Sequence, residues 1–252
     1  MYHIGIDNSH GAKYAVLPGD PGRVEKIALL LDEPEYLCTN REYTSWLGRL
    51  DGEKVIVMST GIGGPSAAIA AEELCQTGVH TMIRTGTCGG MDVRVKGGDL
   101  VVATGAVRME GTTKEYLPVE FPAVPDLQVL NALVSACRSN NAVCHTGVVQ
   151  SKDSFYGQHD PNRMPVGYEL NNKWGAWLGG HCLASEMETA ALFIVAQTLG
   201  IRAGSVLGVL WNQERRHRGL SDENVLDTGL AVKTAVDAIR LLIHDDRLMI
   251  DE

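Results

Sequence analysis

The chain has 252 residues, 44% of them hydrophobic and 21% charged, with a formal net charge of −9 at pH 7. That much apolar material can build a sizeable core. The acidic balance excludes a general nucleic-acid binder, which needs a basic face to neutralise phosphates, although a local cluster can still hold a small anion.

In chain order, residues 14–17 predict a short buried strand closed by the dense turn signal Pro18-Gly19-Asp20-Pro21-Gly22. A helix is predicted over 23–31, with Val24, Ile27, Ala28 and Leu31 on one face. Residues 43–50 and 55–59 read as hairpin strands joined at Asp51-Gly52. After Thr60-Gly61-Ile62-Gly63-Gly64-Pro65-Ser66 an Ala-rich helix is expected to about Gln76, with Pro65 in its first turn. Residues 81–85 predict a strand closed by Gly86-Thr87-Cys88-Gly89-Gly90, and 100–103 another. A helix over 126–140 precedes extended 143–150; extended 183–185 precedes a helix over 188–199. A long apolar strand over 201–211 and an amphipathic helix over 222–244 finish the pattern. This alternation predicts an α/β fold, a single domain over 1–252 with a central mixed β-sheet flanked by helices.

Six cysteines (Cys38, Cys75, Cys88, Cys137, Cys144, Cys182) show no C-x-x-C pair or zinc spacing, so they are expected to be reduced, with no metal site. Met1-Tyr2-His3-Ile4-Gly5 lacks the pattern of a signal peptide, and the apolar run 190–196 is too short to span a bilayer. The expectation is a cytoplasmic protein with no membrane partner.

Two arginines stand beside glycine-rich turns: Arg23 after Gly19-Asp20-Pro21-Gly22, and Arg84 before Gly86-Thr87-Cys88-Gly89-Gly90. Glycines let backbone N–H groups face an anion, and arginine adds forked, charge-assisted hydrogen bonds to phosphate oxygens. Neither loop matches the Walker or dinucleotide fingerprint. Each alone reads as turn glycines with a salt-bridged arginine; together in an α/β chain they point to an anion site beyond the strand ends. Glu186-Met187-Glu188, where a strand enters a helix, could receive a sugar diol or complement the helix dipole.

Pro18-Gly19-Asp20-Pro21-Gly22-Arg23-Val24, Ser59-Thr60-Gly61-Ile62-Gly63-Gly64-Pro65-Ser66, Arg84-Thr85-Gly86-Thr87 and Glu186-Met187-Glu188 stand in the order and approximate spacing of the nucleoside phosphorylase-I family, which the chain resembles over nearly its whole length. Tyr2-His3-Ile4-Gly5, Arg41-Glu42-Tyr43-Thr44, Glu120-Phe121-Pro122-Ala123-Val124 and Phe155-Tyr156-Gly157-Gln158 resemble its uridine-cleaving bacterial branch. The resemblance implies phosphorolysis of uridine, with deoxyuridine or thymidine as further substrates, to a free base and ribose 1-phosphate without a cofactor.

It implies that Gly19, Arg23, Arg84 and Thr87 hold phosphate, that Met187 and Glu188 hold ribose, that Glu186 supports their loop, and that Phe155 packs on the base. Arg41 and His3 would serve a neighbouring subunit's site in a homodimer that assembles into a hexamer. A structural monovalent cation near Glu42, Ile62 and Ser66 is a further implication. The enteric pattern F-Y-x-G-Q-x-R is broken here: one residue is missing before Gly157, and the next arginine is Arg163. Gln158 matches the amide that reads uracil. A second family arginine is replaced by Gln213, and Lys152 and His159 are the candidates to donate to the leaving base, against plain readings as a snorkelling lysine and a satisfied loop histidine. The rivals are a purine-cleaving relative, which would carry an aspartate where Leu210-Trp211-Asn212 stands, and a non-catalytic nucleoside-binding relative.

Overall fold

The computed structural model describes residues 1–250. Strand β1 (Tyr14–Pro18) passes through a 3-10 turn (Pro21–Arg23) into the short helix α1 (Val24–Ala28). Strands β2 (Asp32–Asn40), β3 (Tyr43–Leu50) and β4 (Glu53–Met58) form an antiparallel meander. Asp51 and Gly52 both take positive φ, 49° and 85°, in the two-residue turn between β3 and β4 that matches strand twist. Helix α2 (Gly64–Gln76) leads to β5 (Thr81–Gly90) and β6 (Leu100–Arg108). Helix α3 (Leu127–Ser139), whose first turn is capped by the Asp126 carboxylate, leads to β7 (Cys144–Ser151). Then come α4 (Phe155–His159), α5 (Gly167–Gly179), β8 (Ala184–Glu186), α6 (Thr189–Leu199), β9 (Arg202–Asn212), α7 (Gln213–His217) and α8 (Gly229–Ile250).

Among the described residues nine strands join one mixed sheet in the order β2-β3-β4-β1-β5-β8-β7-β6-β9, and β9 pairs back onto β5. Five strands, β5, β8, β7, β6 and β9, therefore close a ring. The central strand β1 is buried along its whole length and alternates between two cores. Ala15 and Leu17 pack with Leu74 of α2 and Phe193 of α6, while Tyr14 and Val16 pack with Ile27 of α1, Leu133 of α3 and Ile239 of α8. Among the described residues no helix is long and apolar enough to cross a membrane.

The mixed α/β architecture is the one expected, and the departures are local. The helix expected over 23–31 is α-helical only to Ala28, because the chain turns so that Leu31 packs against Gly48 of β3, where a Cβ would meet the Leu31 Cβ at 2.7 Å. Strand β2 goes unpredicted because its first half reads Glu33-Pro34-Glu35 and lies exposed, the composition that keeps a sheet edge from pairing further. The segment Gly86-Thr87-Cys88-Gly89-Gly90, expected as a loop, continues β5, because cross-strand pairing with β9 through Gly90–Asn212 outweighs the low strand propensity of glycine. The last helix starts at Gly229 instead of near Asp222. Arg215 donates to the Ser221 carbonyl at 2.7 Å and Arg216 to the Asp222 carboxylate at 2.9 Å, which holds the preceding segment out of helix.

Candidate active site

The carboxyl ends of β1, β4, β5, β7, β8 and β9 converge on a cavity of about 680 Å³. Ten of the twelve expected site residues line it: Gly19, Arg23, Arg84, Thr87, Lys152, Phe155, Gln158, His159, Met187 and Glu188. Arg41 and His3 do not. Arg41 is exposed in the β2–β3 turn with φ 55°, and His3 Nδ1 lies 2.6 Å from Glu73 Oε1 on α2.

Two guanidinium groups form one end. Arg84 stands within β5, not at its end, and is buried. Its Nε donates to Glu186 Oε2 at 3.3 Å and its Nη2 donates to Glu188 Oε2. Its Nη1 is buried and has no partner among the described residues, and the same is true of Arg23 Nη1. Buried donors of this kind are costly unless something accepts from them. Burial lowers the pKa of Arg23, and the neighbouring positive charge of Arg84 lowers it further. Two like charges held together in a half-dry site favour an anion between them.

Glu186 and Glu188 divide their work. The Glu186 carboxylate accepts from the backbone N–H groups of Glu188 (2.8 Å) and Thr189 (2.9 Å) and from Ser151 Oγ, so it closes the open N-terminus of α6. Glu188 accepts from the Gly63 N–H at 2.6 Å and keeps its face to the cavity. Gly63 has φ 96°, a conformation that glycine supplies without strain. Burial raises the Glu188 pKa, with Arg84 acting in the opposite direction.

At the other end, Lys152 and Gln158 meet at Ser185. Lys152 is only 5% exposed, so it does not snorkel, and its Nζ donates to Ser185 Oγ at 2.7 Å. Burial pushes its ammonium down to about 8, against the pull of Glu186, Glu188 and Cys88. Ser185 Oγ donates to Gln158 Oε1 at 2.6 Å, and Gln158 Nε2 donates to Gln213 Oε1 at 3.3 Å. His159 lies on α4 with its ring between Phe155 (4.3 Å) and Trp211 (5.3 Å). No hydrogen bond to its ring forms among the described residues. Its pKa is lowered by burial and by Lys152. Arg163 pairs with Asp160 at 3.4 Å and stands over Tyr156, outside the cavity lining.

The residues near the implied cation site hold one another: Ser66 Oγ donates to Glu42 Oε1 at 2.6 Å, and Ile62 is 79% exposed. Asn212 is fully engaged elsewhere. Its Nδ2 donates to the carbonyls of Asp92 and Val95, both at 2.8 Å, and its Oδ1 caps α7.

Trp211, Ser185 and Cys88 also line the cavity, outside the expected set. Trp211 had a signal, an aromatic at the carboxyl end of an apolar strand. Ser185 had a weaker one, its place directly before Glu186.

Such a site can hold a small anion at one end and a polar ring at the other, with a carboxylate between. The phosphorylase superfamily model matches residues 13–243. The chain belongs to that superfamily. It is 53% identical to a uridine phosphorylase of Treponema pallidum over 245 residues, 97% of this chain and 95% of the relative. It is 41% identical to the uridine phosphorylase of Escherichia coli over 248 residues, 96% and 98% of the two chains. A guanosine phosphorylase of Halorubrum lacusprofundi is 43% identical over 207 residues, 82% of this chain and 81% of the relative.

Proposed function

We propose that this chain cleaves uridine with inorganic phosphate, giving uracil and ribose 1-phosphate. The observation that carries the reading is the pair of buried, unpartnered Nη1 nitrogens of Arg23 and Arg84 at one end of a cavity whose other end is the Lys152–Ser185–Gln158 cluster. Phosphate sits between the arginines, beside Gly19 and Thr87. Ribose lies over Met187 with its hydroxyls on Glu188. Phe155, His159 and Gln158 receive the base.

A phosphate oxygen attacks C1′ as the C1′–N1 bond breaks, and the electron pair leaves with the base. Phosphate and Glu188 lie near the positive charge that develops on the sugar. Lys152, charged below about pH 8, faces the negative charge that develops on the base. A carboxylic acid, which a purine leaving group would use at its imidazole nitrogen, does not stand at Leu210-Trp211, and Asn212 is committed to its caps. That favours uracil over the purine named for the Halorubrum relative.

The reading includes one domain over 1–252, a cytoplasmic setting in which the six free cysteines stay reduced, and a homodimer with shared sites that builds a hexamer. The position of Arg41 and His3 outside their own cavity supports the sharing.

The test is phosphate-dependent release of base from uridine, deoxyuridine, thymidine, inosine and guanosine. Uridine is expected to react far faster than either purine nucleoside, with no release when phosphate is withheld. Faster cleavage of guanosine or inosine, or release without phosphate, overturns the reading.

A further inference from the structure

Ser185 Oγ lies at a junction of three polar groups. Lys152 Nζ donates to it at 2.7 Å, Gln158 Oε1 lies at 2.6 Å, and Gln150 Oε1 is equally close on the remaining side. A hydroxyl has one hydrogen and two lone pairs. It cannot donate to both amide carbonyls, so one glutamine must turn its amide over.

The two flips differ in cost. Gln150 Nε2 gives up only a contact with the Met109 thioether sulfur, a weak acceptor. Gln158 would lose its N–H to Gln213, and the Gln213 amide would have to turn over with it to avoid two facing carbonyl oxygens. Gln150 is therefore the one that turns. Ser185 then accepts from Lys152 and Gln150, and its single hydrogen has one place to go, the Gln158 carbonyl. Gln150, Lys152 and Ser185 are buried and Gln158 is half-buried, where an unmet polar atom is expensive.

A carbonyl oxygen fixed in this way still has a second lone pair, and the Nε2 on the other side remains a donor. A ring N–H next to a ring carbonyl, the edge of uracil, meets that pattern donor to acceptor. Cytosine presents a bare ring nitrogen in that place, an acceptor that meets the fixed Gln158 carbonyl oxygen like to like.

We propose that Ser185 is a positioning residue that sets uracil-over-cytosine specificity by locking the orientation of the Gln158 amide. The inference rests on the uridine phosphorylase reading and adds to it the device that fixes base polarity. It accounts for a serine that Lys152, the buried cation, points at directly.

The experiment compares Ser185→Ala, Ser185→Cys and Gln158→Leu with the wild type, taking kcat/KM for uridine and for cytidine at saturating phosphate. Inhibition by free uracil and free cytosine supplies the ratio where cytidine turnover is too slow to follow. Ser185→Ala is expected to lower the uridine-to-cytidine ratio at least tenfold, with KM for phosphate within twofold of wild type. Ser185→Cys keeps the shape but donates weakly, so it falls between, and it carries the test if the alanine variant does not fold. In the Gln158→Leu background, Ser185→Ala is expected to change the ratio no further. A ratio within twofold of wild type in the Ser185 variants overturns the role of Ser185 while uridine cleavage stands. A wild-type enzyme that does not cleave uridine overturns the reading beneath it.

Discussion

Glu186 and Glu188 grip one guanidinium from two sides: Arg84 donates through Nε to the first and through Nη2 to the second. They differ in what else they hold. Glu186 is saturated by protein donors, whereas Glu188 has the Gly63 N–H and an open face.

Glu186→Ala is therefore expected to be a stability variant. It leaves Arg84 half-paired and the N–H groups of Glu188 and Thr189 without an acceptor, a loss of about 3–5 kcal/mol for a broken buried pair. Urea unfolding checks it, and a midpoint equal to wild type contradicts it. Glu188→Ala also leaves Arg84 half-paired but spares the α6 N–H groups, so it is expected to lose less stability than Glu186→Ala and to lower kcat for uridine by at least about 100-fold, the scale of losing one transition-state contact.

Arg84→Ala removes one of the two guanidinium groups that face the anion. Phosphorolysis is expected to fall by about 3 kcal/mol of transition-state stabilisation, or about 100-fold, and KM for phosphate to rise. Initial rates across a phosphate series measure both. Activity within a factor of two of wild type removes the phosphate assignment.

Lys152 gives a pH dependence with a defined sign. Its folded pKa lies below the ordinary 10.5, at about 8, so the charged form is present below that pH and lost above it. Glu186, Glu188 and Cys88 favour the charge, while burial opposes it. With phosphate saturating, kcat/KM for uridine is expected to be level below about pH 8 and to fall about tenfold per unit above it. Lys152→Gln should lower the plateau and abolish that limb. A limb that persists in the variant assigns it to another group.

Arg41→Ala and Glu188→Ala are each expected to be inactive, yet to complement each other. If Arg41 serves a neighbour, a mixed dimer contains one site with both groups intact. Random exchange of equal amounts then restores about a quarter of wild-type activity. No recovery after exchange, followed by native mass spectrometry of tagged subunits, rules out shared sites.

Most of the layered fold is readable from periodicity, because β1 is a short apolar run closed by a turn signal, β9 is a long one, and α3 and α8 are amphipathic. What escaped was set by partners far along the chain. β2 looks like loop until β3 pairs with it, and Gly86 to Gly90 look like a turn until β9 does. The site shows the same division. Arg23, Arg84 and Glu188 carry their chemistry in the side chain and stand in recognisable segments. Ser185 gains meaning only because β7 and α4 bring Gln150, Lys152 and Gln158 to it. No local pattern announces such a junction.

The ring of β5, β8, β7, β6 and β9 closes only when Arg202–Asn212 lies beside Thr81–Gly90, a sequence separation of 121 residues between Thr81 and Arg202. Pairings that remote are slow to form, since the entropy of a long loop is spent before its contacts are made. During synthesis Arg84, Lys152 and Glu188 all emerge before the strand that seals the ring, and Trp211 is near its end. The nascent chain therefore has every charged group of the pocket but no pocket, and β5 leaves the ribosome with an open hydrogen-bonding edge. The last strand thus supplies the aromatic wall and also ends the period in which that edge can pair with another chain.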